Sequence, residues 1–354
     1  MSRNFKFAAL MAILVIAVVE LQAWVFVRLA MWSGSLRFYP SDIFVRTTDE
    51  QLARAAGRGL LGWPSNEGPR AGPSEQKPVC GSAFGDSMTY GAEVEDDEAW
   101  VHLLSVRLGC TVANYAVPAY GLDQAVLRYE HSATEGKFVI VGVFLEMIRR
   151  SVAASWTFYA PVQPMAVYQI KPYFSLDGES LRLHAIPQPA TRQAIAAHHV
   201  GDYYMRDVAT VAKFPYALTA ARGIYLRLVK TDDYRRHTEK YLDPAHPSGS
   251  GILARRLLDR FAHTAQRRNA RLAIVLIPSI GRLLVDDVWT DQFARDLTGR
   301  AETCVIDLKP ILRDYARSLA GKIPTAPKGH YTAQANRWMA DGVAAGLGGC
   351  GITP

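Results

Sequence analysis

Cysteine is scarce in this chain of 354 residues: Cys80, Cys110, Cys304 and Cys350 are the whole complement, and no two stand at metal-ligand spacing. Zinc ribbons and fingers are thereby excluded, and no metal site is expected. Neither a Walker phosphate loop nor a glycine fingerprint set between a strand and a helix is present, so no nucleotide cofactor is expected. Charge of one sign is not concentrated either. The 40 Lys and Arg against 33 Asp and Glu leave a net charge of +7, and the excess forms no basic arm, which argues against a nucleic-acid partner. Such a balance serves an anionic lipid or glycan surface, or is simply a solvated face. Long apolar runs are absent with one exception, at the N-terminus.

That exception begins after Arg3 and Lys6. Phe7 to Val19 is strongly apolar, and the run continues less cleanly to Trp32. Taken whole it is about 25 residues, enough for a tilted membrane span. Taken as Phe7 to Val19 only, it has the length of a signal-peptide core. Bulky Leu21 signals cleavage after Ala23 poorly, which favours an uncleaved anchor. Arg3 and Lys6 place the N-terminus on the cytoplasmic side, with the rest of the chain facing the periplasm or the outside of an inner-membrane, single-pass protein. Glu20 lies within the run. A carboxyl group in lipid finds a partner or reaches the headgroups, so Glu20 either pairs with a polar residue of another integral-membrane protein or lies shallow.

Residues 1–32 thus read as an anchor and 33–77 as a stalk, broken by Pro40, Gly57, Gly59, Gly62, Pro64, Gly68, Pro69, Gly72 and Pro73, with a short helix at 48–56. From 78 to 354 strands and helices alternate. Strands are expected at 79–84, 111–116, 137–145, 272–278 and 304–308, and helices at 98–108, 122–131, 251–269, 289–298, 310–320 and 332–346. Repeated βα units imply a three-layer α/β/α domain on a mostly parallel, flavodoxin-like sheet, preceded by the single N-terminal transmembrane helix. An aromatic and helical region at about 150–250 interrupts the rhythm. It contains a hairpin turn at Leu176 to Leu181, with Trp156, Phe158, Tyr159, Tyr168, Tyr173 and Phe174 around it. This insertion is a lid, a substrate-facing wall or plain packing.

In such a sheet the strand starts share one edge. Cys80, Cys110 and Cys304 all begin strands, and the last helix returns Cys350 to that edge. The expected disulfides are Cys80–Cys110 and Cys304–Cys350, with four buried thiols as the alternative. Oxidised cysteines agree with a domain outside the cytoplasm.

The first core strand runs into Phe84-Gly85-Asp86-Ser87-Met88-Thr89-Tyr90-Gly91, a strand-to-helix turn that lifts a serine hydroxyl toward the strand ends. Asn114-Tyr115-Ala116-Val117-Pro118-Ala119-Tyr120-Gly121 and Gly329-His330-Tyr331-Thr332 follow in order. Together these stretches resemble the signatures of the SGNH (GDSL-type) hydrolases. The resemblance implies Ser87 as nucleophile, His330 as catalytic base, and the Ser87 and Gly121 N–H groups as the oxyanion hole, with Asp86 and Asn114 in support.

Two features depart from that pattern. Where the family often places an aspartate shortly before the histidine, this chain has Pro327 and Lys328. His330 is then oriented by a backbone carbonyl, by Asp307, or by nothing. The third signature's asparagine is replaced: Phe144-Leu145-Glu146-Met147-Ile148-Arg149-Arg150 ends the third core strand, and an ionised Glu146 accepts hydrogen bonds rather than donating them. Glu146 is expected to orient, paired with Arg149 or Arg150 or supporting His330. The resemblance implies a serine esterase or O-acyl(acetyl)transferase acting on an ester-bearing substrate outside the cytoplasm, such as an O-acetylated polysaccharide. The departures leave open a catalytically degenerate fold that binds glycans or serves as a subunit of a membrane assembly.

Overall fold

The computed structural model describes residues 3–40, 61–62, 68–70, 77–155, 170–230, 238–299, 303–319, 321 and 325–353. The helix expected at 48–56 and the aromatics Trp156, Phe158, Tyr159 and Tyr168 lie outside these residues. In chain order the elements are α1 (Arg3–Ser33), β1 (Phe38–Pro40), β2 (Val79–Phe84), α2 (Ser87–Tyr90), α3 (Trp100–Leu108), β3 (Thr111–Asn114), α4 (Leu122–His131), β4 (Phe138–Phe144) and α5 (Leu145–Arg150). There follow β5 (Tyr173–Asp177), β6 (Ser180–His184), α6 (Arg192–His198), β7 (Thr210–Ala212), α7 (Tyr216–Val229), α8 (Ser250–Arg267), β8 (Arg271–Ile277), α9 (Val288–Thr298), β9 (Cys304–Asp307), α10 (Lys309–Ser318) and α11 (Ala333–Gly349). The chain divides into two units. One joins Met1–Gly62, Ala153–Lys171 and Ala185–His237, and the other joins Trp63–Val152, Pro172–His184 and Thr238–Pro354.

The larger unit is built on a five-stranded sheet in the order β3-β2-β4-β8-β9, and every pairing is parallel. β4 is central because its sequence, Phe-Val-Ile-Val-Gly-Val-Phe, is apolar without alternation and buries both faces. Right-handed crossovers put helices on both sides, and α3 packs with α11 while α4 packs with α8. α8 buries Leu253, Leu257, Leu258 and Phe261, each contributing about 1.5–3 kcal/mol. The Phe261 ring stacks on Tyr129 at 4.7 Å, and both meet Phe84 at the end of β2. The turn that carries Ser87 therefore starts from a rigid aromatic core.

The elements expected in this domain are present with their ends shifted by at most three residues. Cys80 is bonded to Cys110 and Cys304 to Cys350, with Cα separations of 5.9 and 5.7 Å, and among the described residues no cysteine is free. The expected insertion does not behave as one piece: the β5–β6 hairpin belongs to the sheet unit, while the sequence on either side joins the N-terminal unit. Gly178 takes the left-handed conformation, φ 58°, that the hairpin turn requires.

In the smaller unit α1 packs along α7, and β1 pairs in parallel with β7. Residues 38–40, expected within a spacer, are thus part of a strand. Glu20 finds its hydrogen bonds inside this unit. Its carboxylate accepts the backbone N–H groups of Tyr216 at 2.5 Å and Ala217 at 3.3 Å, the first residues of α7.

Candidate active site

Ser87 opens α2, one short turn directly after β2. Gly85 makes the corner at φ 158°, where a side chain would collide with Thr89. Asp86 caps the turn, its Oδ1 accepting the Met88 N–H at 3.0 Å. As the first helical residue, Ser87 has an amide without an intrahelical partner. Asn114 secures the other end of the turn: its Nδ2 donates to the carbonyls of Thr89 and Tyr90, and its Oδ1 accepts the Ala116 N–H.

Asp86 is fully buried and its second oxygen meets Arg150 Nη1 at 2.8 Å. Burial pushes its carboxyl above the ordinary range, against the opposing pull of Arg150, the Met88 N–H and the charge of His330. Arg150 Nη1 also donates to the Tyr120 carbonyl at 3.1 Å. A single guanidinium therefore ties the residue before Ser87 to the residue before Gly121.

His330 lies in the loop before α11. The ring of the next residue, Tyr331, is buried and its hydroxyl donates to the Pro278 carbonyl, just past the end of β8. His330 Nδ1 is 2.6 Å from Glu93 Oε2. The same carboxylate accepts the backbone N–H groups of Lys328 at 2.8 Å and His330 at 3.2 Å. Desolvation works the other way, yet these three donors hold the Glu93 carboxyl below its ordinary range. An ionised carboxylate on Nδ1 keeps the proton there and leaves Nε2 as the basic nitrogen.

The loop carrying Glu93 is itself clamped. Arg70 is nearly buried and donates to the carbonyls of Tyr90, Gly91 and Val94 and to the Asp96 carboxylate, while its guanidinium covers the Tyr90 ring at 4.4 Å. Glu93 itself sits at φ 67°, a conformation uncommon for a non-glycine residue and held here by that clamp. A second tie runs deeper. Trp100 Nε1 donates to the Met88 carbonyl and its backbone N–H donates to Asn336 Oδ1, whose amide in turn donates to the Tyr331 and Thr332 carbonyls. The Ser87 turn and the His330 loop, some 240 residues apart, are laced together at two levels.

Three expectations are corrected by this arrangement. Asp307 does not orient His330: its Oδ1 caps the start of α10 by accepting the Lys309 N–H at 2.9 Å, and Glu93 takes the histidine. Gly121 does not present its N–H to a cleft. Gly121 caps α4 without a side chain, and Gln124 at the third helical position supplies the reciprocal half of a capping box: the Gly121 N–H donates to Gln124 Oε1 at 3.0 Å. Glu146 does not support His330 either: Oε1 accepts the Thr238 hydroxyl at 2.8 Å and Oε2 faces Arg149 at 3.8 Å. Sequence reading missed Glu93, Arg70, Trp100 and Arg150. The available signal was the acidic stretch Glu93-Val94-Glu95-Asp96-Asp97-Glu98 shortly after Ser87, which offers several carboxylates without marking which one turns inward.

No family model and no curated protein matches the chain. Among solved structures, it is similar to a putative lipolytic protein of the G-D-S-L family from Desulfitobacterium hafniense, at 10% identity and TM-score 0.38, over 76% of this chain and 99% of that one. It is also similar to TesA, at 11% identity and TM-score 0.40, over 77% and 99%. A family two carbohydrate esterase from Clostridium thermocellum, solved with cellohexaose, shares 9% identity at TM-score 0.33, over 78% and 66%. These likenesses are distant, and the site stands on its own geometry. The Gly-Asp-Ser turn follows β2, the stretch from Asn114 to Gly121 opens at the end of β3, and His330 precedes the last helix of a parallel, three-layer α/β/α fold.

Proposed function

We propose that the chain is a serine esterase or O-acyltransferase, anchored in the inner membrane, that acts outside the cytoplasm on an ester-bearing substrate such as an O-acetylated polysaccharide. The observation that supports this reading is the Glu93 carboxylate on His330 Nδ1 at 2.6 Å, which supplies the orienting group that the sequence before His330 lacks. The two disulfides support an oxidising compartment.

In this mechanism Ser87 Oγ attacks the ester carbonyl carbon while its proton passes to His330 Nε2. Glu93 stabilises the imidazolium that forms and fixes the ring. The tetrahedral oxyanion is met by the Ser87 N–H. Collapse breaks the ester C–O bond, and the leaving alkoxide takes the proton from Nε2, leaving Ser87 acylated. Water or a sugar hydroxyl then gives its proton to Nε2 and attacks the acyl carbon, which releases the acid or a new ester and restores the Ser87 hydroxyl. Exclusion of water from the acyl-enzyme decides between the two acceptors.

The test is hydrolysis of p-nitrophenyl acetate by the full chain in detergent, beside Ser87→Ala, with mass mapping of fluorophosphonate labelling. A rate lost in Ser87→Ala together with a label on Ser87 supports the mechanism. Equal rates in both proteins, or a Ser87 that takes no label, would leave a degenerate fold that binds without catalysis. Acyl transfer to an added oligosaccharide separates transferase from esterase.

A further inference from the structure

α7 is apolar on two sides, one of them buried and the other exposed. Its inner side buries Thr219, Ala220, Gly223 and Leu226. These are mostly small residues, and they let the helix approach α1 closely along Glu20, Ala23, Val27 and Ala30. The Phe38 ring fills the space over Gly223, where a β-carbon would overlap it. On the other side Leu218, Tyr225 and Leu228 are 68%, 61% and 71% exposed, with Phe214 just ahead of the helix at 70%. These positions recur at helical spacing and form one stripe.

α1 indicates what covers that stripe. From Asn4 to Ser33 it is long and apolar enough to cross a membrane, and its most apolar stretch is almost wholly unburied. Glu20 accepts the first amides of α7, and Ala220 clusters with Val27 and Ala30. The two helices therefore run in the same direction, with α7 starting at the level of Glu20. If the hydrocarbon begins near Phe7, a span of about 20 residues places Glu20 roughly 10 Å inside the far face. The 14 residues of α7 are about 21 Å long at 1.5 Å each, too short to span: the first half climbs through that depth, and the second half, with Tyr225 and Leu228, stands at the headgroup level. Arg28 covers the Trp24 ring at 5.6 Å, a pairing suited to the interfacial level. Lys213 and Arg222, on long apolar stems, reach the same level by snorkelling.

We infer that α7 is a half-helix whose first half is embedded in the membrane, with Phe214 and Leu218 covered by the acyl chains of the outward-facing leaflet and Tyr225 and Leu228 among its headgroups, so that the chain holds the bilayer with two elements instead of one. Glu20 is then the N-terminal cap of a helix that starts inside the lipid, where orphan amides would otherwise be costly. This inference does not depend on the catalytic reading.

The test uses the full chain in nanodiscs of phosphatidylcholine and phosphatidylglycerol. All four native cysteines are in disulfides, so single-cysteine variants Leu218→Cys and Leu228→Cys accept an environment-sensitive nitrobenzoxadiazole label specifically. Gln193→Cys, on an exposed polar position of the same unit, is the aqueous control. Blue-shifted emission at position 218, quenched by dibrominated phosphatidylcholine, with a smaller shift and weaker quenching at 228 and unquenched water-like emission at 193, is the expected result. Water-like emission at 218 overturns the inference. So does a blue-shifted probe that brominated lipid fails to quench, because protein then covers the stripe. Ala221→Cys, on the same exposed side, serves as the second variant if Leu218→Cys does not reconstitute.

Discussion

Replacing Arg150 by methionine tests the frame on which Ser87 stands. The guanidinium is the charge partner of Asp86, whose side chain is 0% exposed, and it bridges that carboxylate to the Tyr120 carbonyl. Methionine preserves most of the volume and removes the charge. Asp86 then keeps the Met88 N–H and loses its ion pair, and a buried charge left in that state costs about 3–5 kcal/mol. At the upper end this is more than three decades in the folded-to-unfolded ratio. Burial already raises the Asp86 carboxyl above its ordinary value of 3.8, and the loss of Arg150 raises it further. A raised carboxyl means that the folded state binds more protons than the unfolded one, so stability falls as pH rises from the unfolded value through the folded one. Arg150→Met should therefore be most impaired at neutral pH and recover as the solution is acidified toward pH 4. Asp86→Asn combined with Arg150→Met removes the orphan charge and should recover most of the loss with no such pH dependence. Urea denaturation followed by tryptophan fluorescence, from pH 4 to 8, measures all three proteins. If Arg150→Met unfolds at the wild-type urea concentration across that range, or the double variant is worse than the single, the bridge is not what holds this turn.

Glu93→Gln should lower kcat on p-nitrophenyl acetate by about a hundredfold with KM little changed, since a positioned acid–base system contributes about 10²–10⁴; an unchanged kcat would show that the Glu93 contact is only structural. Because the Glu93 carboxyl is held below its ordinary range, its contribution to stability is present above the unfolded pKa and is lost as pH falls through the lowered folded one. The stability gap between wild type and Glu93→Gln should then persist at pH 5 and close in stronger acid, as read by thermal unfolding. Cys304 and Cys350 are 46 residues apart, so Cys304→Ser with Cys350→Ser should cost about 4 kcal/mol by loop-closure entropy, measured by urea midpoint. Glu20→Leu removes the cap from α7 and should cost about 1–2 kcal/mol, seen as a lower detergent-solubilised melting temperature, whereas Glu20→Gln keeps an acceptor and should lose much less.

The parallel sheet was legible because its strands are short apolar runs bounded by turns, and β4 declares its central place by lacking any polar alternation. The disulfides were legible for a related reason. Once strands are parallel, residues that begin them share an edge, and Cys80 with Cys110 follows from order alone. The smaller unit was not legible in the same way. β1 and β7 are three residues each, too short for periodicity to register, and their partners lie about 170 residues apart. What united them was α1, whose packing on α7 depends on Gly223 and its neighbours being small, a feature that composition does not distinguish from an ordinary helix.

The orienting carboxylate shows why spacing fails where a site is assembled from loops. A sequence search beside His330 finds Pro327 and Lys328 and concludes that no acid is at hand. The acid arrives instead from the loop that follows Ser87, six positions after it, whose course is set by the nearly buried Arg70 binding three of its carbonyls. None of those contacts uses a loop side chain, so the sequence from 90 to 94 carries no mark of them. Pro327 and Lys328 are also not a simple loss. The Lys328 amide donates to Glu93 together with the His330 amide and ring, so the backbone just before His330 is part of the socket for a carboxylate delivered from another loop. Arg70→Ala should therefore reduce turnover as Glu93→Gln does, although Arg70 binds the loop and Asp96 and lies 260 positions before His330. Restored activity on combining Arg70→Ala with added guanidinium at low concentration would tie that loss to the clamp, and an Arg70→Ala protein with wild-type turnover would refute the clamp altogether.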